Sequence, residues 1–155
     1  MNAIDLPNEN AIQLGNYYLE QLSEKAVFMH GADKLLEQQY GNYKLGIVTN
    51  GLKQVQKPKL IKNNLAHYFN IIVVSDEIGV SKPNVAFFDH VFEEMNFPHK
   101  EKVLIIGDSL SSDIRGGNNY GIDTCWIYLK GKVAHEHNLP TYTIEKLEEL
   151  RGCLL

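Results

Sequence analysis

The chain has 155 residues, of which 44% are hydrophobic and 22% charged. This is an ordinary globular composition, which excludes a disordered segment and suits a single domain. With 15 Lys and Arg against 19 Asp and Glu, the net charge is -4, so the chain lacks the basic surface of a protein that binds nucleic acid polymers. Its apolar runs are too short to cross a membrane, and its first residues lack the features of a signal peptide.

Apolar residues alternate between helical and strand-like spacing along the whole chain. Helices are predicted at 8–23, 31–40, 52–64, 84–95, 113–120 and 144–150, and strands at 43–49, 71–75, 103–106 and 124–128. A polar loop is predicted at 76–83. Strict alternation of strands and helices predicts an α/β fold with a doubly wound parallel sheet.

The cysteines, one pair of histidines and one apolar stripe give three further predictions. Cys125 and Cys153 are far apart in sequence, which favours free thiols in a cytoplasmic protein over a metal motif. The pair His135 and His137 alternates in a polar segment, and we interpret it as solvated surface. The apolar stripe of the helix at 84–95 is interpreted as core.

Polar side chains follow three of the predicted strands, at the edge where ligands bind in such sheets. The Thr49 hydroxyl is suited to a phosphate oxygen, and the backbone amides of Asn50 and Gly51, at the start of a helix, suit an anion. Lys82 can balance the charge of a phosphate or of a negatively charged intermediate.

Two acidic residues accompany the third strand. Asp108 is a hard oxygen ligand of the kind that Mg²⁺ prefers, and Asp113 follows five residues later. Asp113 has three open roles: it positions the water shell of the metal, it holds Lys82, or it caps the helix that begins there. Each residue alone has an ordinary explanation as a turn, cap or surface residue, but their order at successive strand ends favours a functional set.

Three segments at these strand ends resemble motifs of the haloacid dehalogenase superfamily of phosphatases. Residues 45–51 look like its second motif, whose Thr binds the transferred phosphoryl group. Residues 74–83 look like the third, whose Lys stabilises the phosphoryl site, and residues 103–114 look like the fourth, with both acidic positions present. Details around these motifs are similar to the pyrimidine 5′-nucleotidase branch. The resemblance implies a Mg²⁺-dependent phosphomonoester hydrolase whose substrate is a small phosphorylated metabolite, such as a nucleoside 5′-monophosphate.

One motif of that family has no counterpart here. Family members carry an Asp-x-Asp nucleophile motif on their first strand, and the sequence contains no Asp-x-Asp. The resemblance therefore implies that residues 1–24 are a remnant of the helical cap and that residues 25–155 form a core lacking its first strand. Without the nucleophile, the expectation is that this chain alone is inactive.

The missing strand is normally central in the sheet. We therefore predict that the strands ending at Thr49 and Asp108 are not paired with each other and flank an open position. Loss of about five buried apolar residues costs on the order of 10 kcal/mol, comparable with the net stability of a whole domain. A second polypeptide that supplies the strand is one expected partner.

Three other classes of protein share some of these sequence features. A non-catalytic pseudoenzyme that keeps a phosphate or Mg²⁺ site is the main alternative. A phosphoacceptor signalling domain is disfavoured because it expects the order Asp, Thr, Lys, whereas this chain runs Thr49, Lys82, Asp108. A dinucleotide-binding domain is disfavoured because no Gly-x-Gly-x-x-Gly follows a strand.

Overall fold

A computed structural model describes residues 8–24, 27–129, 131 and 139–154. The first seven residues of the predicted cap segment lie outside this range. So does the pair His135 and His137, and its interpretation as solvated surface stays a prediction.

The described strands form two parallel sheets. Strand β1 (Gly46–Thr49) pairs with β2 (Ile71–Val74). Strands β3 (Leu104–Gly107), β4 (Asp123–Ile127) and β5 (Tyr142–Ile144) form the second sheet in that order. Apolar and β-branched residues dominate these segments, as is usual for parallel strands that lie under helices. The predicted α/β fold with parallel strands is confirmed.

Helices connect and cover the strands. The α-helices are α1 (Asn8–Glu24), α2 (Ala32–Gln39), α3 (Lys53–Lys62), α4 (Ser75–Ile78), α5 (Val85–Glu94) and α6 (Arg115–Tyr120). Short 3₁₀ helices span Ala66–Tyr68, Lys100–Lys102 and Leu147–Gly152, and a π-helical turn spans Leu110–Ile114. Among the described residues, no helix has the length and apolar content needed to cross a membrane.

Strands β1 and β3 are not hydrogen-bonded to each other in the described part of the chain, as predicted. Among the described strands, each has a partner along one edge only, β2 for β1 and β4 for β3. The two sheets nevertheless share one hydrophobic core, because Val73 of β2 and Ile105 of β3 belong to the same buried cluster and Val48 of β1 packs against it. The sheets therefore lie side by side over a common layer of side chains.

Helix α5 supplies half of the buried residues of that common core. Phe87, Phe88, Val91 and Phe92 are buried on its inner face, and their spacing keeps them on one side of a helix. Met95 packs against the same cluster. The stripe is core, as predicted.

A second core cluster lies between β4, β5 and the end of the chain. It contains Cys125, Ile144, Leu147 and Leu150, with Cys153 packed against it. Both cysteines are free, as predicted. Burial raises the pKa of the Cys125 thiol to about 12, and the neighbouring Cys153 adds to the shift.

Two predicted elements are wrong. The closing helix expected at 144–150 is instead strand β5 followed by a 3₁₀ helix. Tyr142, Thr143 and Ile144 are aromatic and β-branched, so they suit a strand beside β4, and Tyr128 N–H extends the pairing by donating to the Ile144 carbonyl at 2.8 Å. The loop expected at 76–83 begins inside the one-turn helix α4, which ends at Gly79 with a φ of 71°.

Helix α1 packs along α3. The Lys62 ammonium of α3 ion-pairs with Glu24 and donates to the buried Ser23 hydroxyl at 3.2 Å. Several apolar side chains of α1 are exposed, among them Ile12, Tyr17 and Tyr18. The assignment of residues 1–24 to a cap and 25–155 to a core stays a prediction.

Candidate active site

The carboxyl end of β1 turns sharply into α3. Thr49 is the last residue of β1 and is half-buried. Its hydroxyl oxygen accepts a hydrogen bond from Gly51 N–H at 3.2 Å. This bond fixes the Thr49 side chain at the edge of the sheet and occupies one of the two amides that the sequence assigns to an anion.

Lys82 is the buried cation of this region. It follows β2 and α4, and only 7% of the residue is exposed. Its ammonium donates to the Val48 carbonyl at 2.5 Å and to Asp113 Oδ1 at 2.7 Å. Because Val48 belongs to β1 and Asp113 follows β3, one ammonium joins the carboxyl ends of the two sheets.

Asp113 folds back against the end of β3. It is 8% exposed, and its Oδ2 accepts from Ser109 N–H at 3.1 Å. A Cβ at Gly107 would lie 2.3 Å from that Oδ2, so the last residue of β3 has to be glycine for the carboxylate to fit. Of its three predicted roles, the structure shows that Asp113 holds Lys82. The side-chain cap of the following turn is Ser109, whose Oγ accepts from Ser112 N–H.

Asp108 lies between two residues that touch the Asp113 carboxylate, namely Gly107 and Ser109. Asp108 is exposed, and its backbone carbonyl accepts from Trp126 Nε1–H at 3.2 Å. The Trp126 ring is 4% exposed. No local sequence pattern reveals the bond from Trp126 to Asp108, because it depends on the register that places Trp126 opposite Gly107.

Asn50 also has an unpredicted contact. Its side-chain amide donates to the Lys82 carbonyl at 2.9 Å and accepts from Lys82 N–H at 2.9 Å. Sequence reasoning considered the backbone amide of Asn50, whereas the structure shows the side chain bound to the Lys82 backbone. An Asn after a strand is a common turn residue, so its long-range partner gives no sequence signal.

These contacts bring the predicted residues to one edge of the molecule. Asn50 and the Val48 carbonyl next to Thr49 bind Lys82, which binds Asp113, beside which Asp108 lies. Among the described residues, no group of three or more His, Cys, Asp or Glu side chains could hold a metal ion. A single exposed carboxylate such as Asp108 fits Mg²⁺, which takes one or two protein carboxylates and keeps several waters.

The fold and this set of strand-end residues define a class of hydrolase. The sequence model of haloacid dehalogenase-like hydrolases matches residues 5–127, and the chain belongs to that family.

Several individual proteins are similar to this chain over most of its length. The chain is 37% identical over 142 residues to the pyrimidine 5′-nucleotidase YjjG of Escherichia coli, covering 92% of this chain and 63% of the relative. It is 35% identical to the pyrimidine 5′-nucleotidase PynA of Streptococcus pneumoniae, covering 89% of this chain and 57% of that relative. The crystal structure of the HAD-hydrolase YfnB of Bacillus subtilis bound to magnesium superposes with a TM-score of 0.87 at 37% identity, covering 97% of this chain and 65% of that structure. The chain thus spans about three fifths of the length of these relatives.

Proposed function

We propose that this chain is part of a Mg²⁺-dependent phosphomonoester hydrolase that acts on nucleoside 5′-monophosphates. The observation that carries the proposal is the buried Lys82 ammonium, held 2.7 Å from Asp113 beside the strand ends that carry Thr49 and Asp108. The names of YjjG and PynA, both pyrimidine 5′-nucleotidases, support the substrate class.

Each residue has a distinct part in binding the phosphate. The Thr49 hydroxyl donates to one phosphoryl oxygen, and the Lys82 ammonium offsets negative charge on the others. Lys82 is already buried and held by two acceptors, so little reorganisation of its charge accompanies the reaction.

Asp108 is the residue we assign to Mg²⁺. Asp108 is exposed at the end of β3, and the Asp113 carboxylate is bound to Lys82. When bound, Mg²⁺ supplies charge neutralisation and orientation of the phosphoryl oxygens. The related YfnB structure is bound to magnesium, which supports Mg²⁺ as the metal.

The attacking carboxylate has to come from elsewhere. Asp108 is assigned to the metal, Asp113 is bound to Lys82, and the sequence contains no Asp-x-Asp. We propose that a second polypeptide supplies an extended segment that carries the nucleophile and pairs with the edges of β1 and β3. Both edges lack a strand partner among the described residues, and an added strand would gain backbone hydrogen bonds on both sides.

Ligand binding by the chain itself is the first test. We expect inorganic phosphate and cytidine 5′-monophosphate to raise the midpoint of thermal unfolding in Mg²⁺ buffer, because a ligand that binds only the folded state stabilises it. The Lys82→Ala variant should lose most of this effect. The Lys57→Ala variant removes the same charge from a partly exposed ion pair between α3 and α4 and should keep the stabilisation. Equal stabilisation of both variants would contradict the site.

Turnover is the second test. We expect the 155-residue chain to hydrolyse nucleoside monophosphates no faster than its Lys82→Ala variant, because the aspartyl-phosphate cannot form without the nucleophile. A polypeptide carrying the strand and its Asp-x-Asp should restore activity, and an Asp-to-Asn change of that nucleophile should abolish it. Mg²⁺-dependent turnover by the chain alone, lost in Asp108→Asn, would show that the nucleophile lies within these residues.

A non-catalytic phosphate-binding protein is the second candidate, and the lack of an Asp-x-Asp favours it. Phosphate binding without turnover, even with the added strand, would support this role.

In either case the free thiols of Cys125 and Cys153 suit a reducing compartment such as the cytoplasm. We assign residues 1–24 to a cap segment, in which exposed apolar side chains of α1 such as Ile12 and Tyr17 would face the substrate.

A further inference from the structure

We propose that the side chain of Asn50 is a positioning residue that sets the location of the Lys82 ammonium. The inference rests on the proposed phosphate site but concerns a contact within the ligand-free chain. It gives the Asn50 side chain a role different from binding the phosphate itself.

The Asn50 side chain and the Lys82 backbone form a reciprocal pair of hydrogen bonds. The Asn50 amide donates to the Lys82 carbonyl and accepts from the Lys82 N–H, both at 2.9 Å. The side chain of Asn50 therefore satisfies both backbone polar groups of Lys82, although the two residues are 32 positions apart in sequence. A reciprocal pair of this kind fixes orientation as well as distance, as a backbone ladder does between strands.

Both the backbone and the ammonium of Lys82 are held near the end of β1. Asn50 directly follows Thr49 at the end of β1, and the ammonium of the same Lys82 reaches the Val48 carbonyl at 2.5 Å. Asn50 thus holds the Lys82 backbone near the end of β1, while Val48 and Asp113 hold the tip of its side chain. A lysine side chain has four rotatable bonds and loses up to about 2 kcal/mol of rotamer freedom when ordered. Fixing its backbone as well limits the positions that the ammonium can occupy.

The contact with the Lys82 backbone requires the side-chain amide of Asn50. Asp at position 50 would keep an acceptor for Lys82 N–H but would lose the donor to the Lys82 carbonyl, and Ala would lose both. Only an amide of this length supplies both groups.

The test is the accessibility of the Lys82 amine to an acylating reagent, read by peptide mass spectrometry on the ligand-free chain. We expect Lys82 to react far more slowly than Lys57, since Lys82 is 7% exposed and the Lys57 side chain is 41% exposed. Asn50→Ala should raise the Lys82 rate about tenfold, because two lost hydrogen bonds favour local opening of the loop. Asn50→Asp should give a smaller increase, and the Lys57 rate should not change.

Asn70→Ala is the matched control. Asn70 also makes a side-chain bond to distant backbone, accepting from Leu45 N–H at 2.9 Å, but at the opposite end of β1. It should leave the Lys82 rate unchanged. An Asn50→Ala or Asn50→Asp protein that is folded, as judged by its circular dichroism, and labels Lys82 at the parental rate would overturn the proposal.

A double-mutant cycle distinguishes positioning from contact with the ligand. Asn50→Ala should weaken inorganic phosphate binding in the parental chain but have no further effect in a Lys82→Ala background. An equal loss in both backgrounds would mean that Asn50 contacts phosphate itself, and would overturn the inference. If the parental chain binds no phosphate, the proposed function fails, while the labelling experiment still decides the role of Asn50.

Discussion

Replacing Asp113 by Asn tests how the buried cation is stabilised. The Lys82 ammonium and the Asp113 carboxylate are 2.7 Å apart, with side chains 6% and 11% exposed. At an effective dielectric constant of 20, two unit charges about 2.7 Å apart attract by roughly 6 kcal/mol. Most of that attraction is offset by the cost of removing both ions from water, so the intact pair contributes little net stability.

Breaking the pair is a different matter, because the remaining charge stays buried without compensation. We expect Asp113→Asn to lower the free energy of unfolding by about 3–5 kcal/mol. This is a large share of the roughly 5–15 kcal/mol available to a domain. Lys82→Met should be similarly costly, and the double variant should cost less than the sum of the two, since no charge is then left alone.

Urea unfolding followed by the fluorescence of Trp126, the single tryptophan, measures these changes. The matched control is Glu77→Gln. Lys57 and Glu77 are also 2.7 Å apart, but their side chains are 41% and 31% exposed, so this change should cost less than about 1 kcal/mol. An Asp113→Asn variant within about 1 kcal/mol of the control, or strictly additive effects in the double variant, would refute the reasoning.

Two further predictions concern the core. Gly117→Ala should cost about 1–3 kcal/mol in urea unfolding, because a Cβ there would lie 2.5 Å from Thr124 Cγ2 and 2.6 Å from Ile105 Cγ2; Gly15→Ala on α1, where nothing lies within 4 Å, should stabilise. Burial raises the Cys125 pKa from 9.0 to about 12, so the unfolded chain loses this proton first and the free energy of unfolding should fall above pH 9, by up to about 1.4 kcal/mol per pH unit. The Cys125→Ala variant should lack that part of the slope, and an unchanged slope would contradict the assignment.

Much of the fold could be predicted from the sequence because the apolar runs are short and distinct. The strands ending at Thr49 and Asp108 were expected from continuous apolar residues followed by small polar ones, and both are present. The prediction of a closing helix at 144–150 is wrong because the apolar spacing around Ile144 fits both a helical and a strand-like period. Its strand identity depends on pairing with β4, which local sequence does not encode.

The candidate site divides in the same way. The residue types at the strand ends indicated which side chains belong together, and Lys82 does meet Asp113. The partners that fix them were not predictable, because Asn50 bonding to Lys82 and Trp126 bonding to Asp108 depend on three-dimensional register. Long-range bonds between side chain and backbone leave no periodic pattern for sequence reasoning to detect.

The separation of the two sheets has a consequence for folding cooperativity. Strands β1 and β2 lie within residues 46–74, and β3 to β5 lie within residues 104–144. No backbone hydrogen bond between described strands joins the two groups; they are coupled through the shared core and the bonds of Lys82. Amide groups in each sheet should therefore exchange with solvent as two separate protected sets, with distinct opening free energies. A segment that pairs with both edges would merge these sets into one cooperative unit.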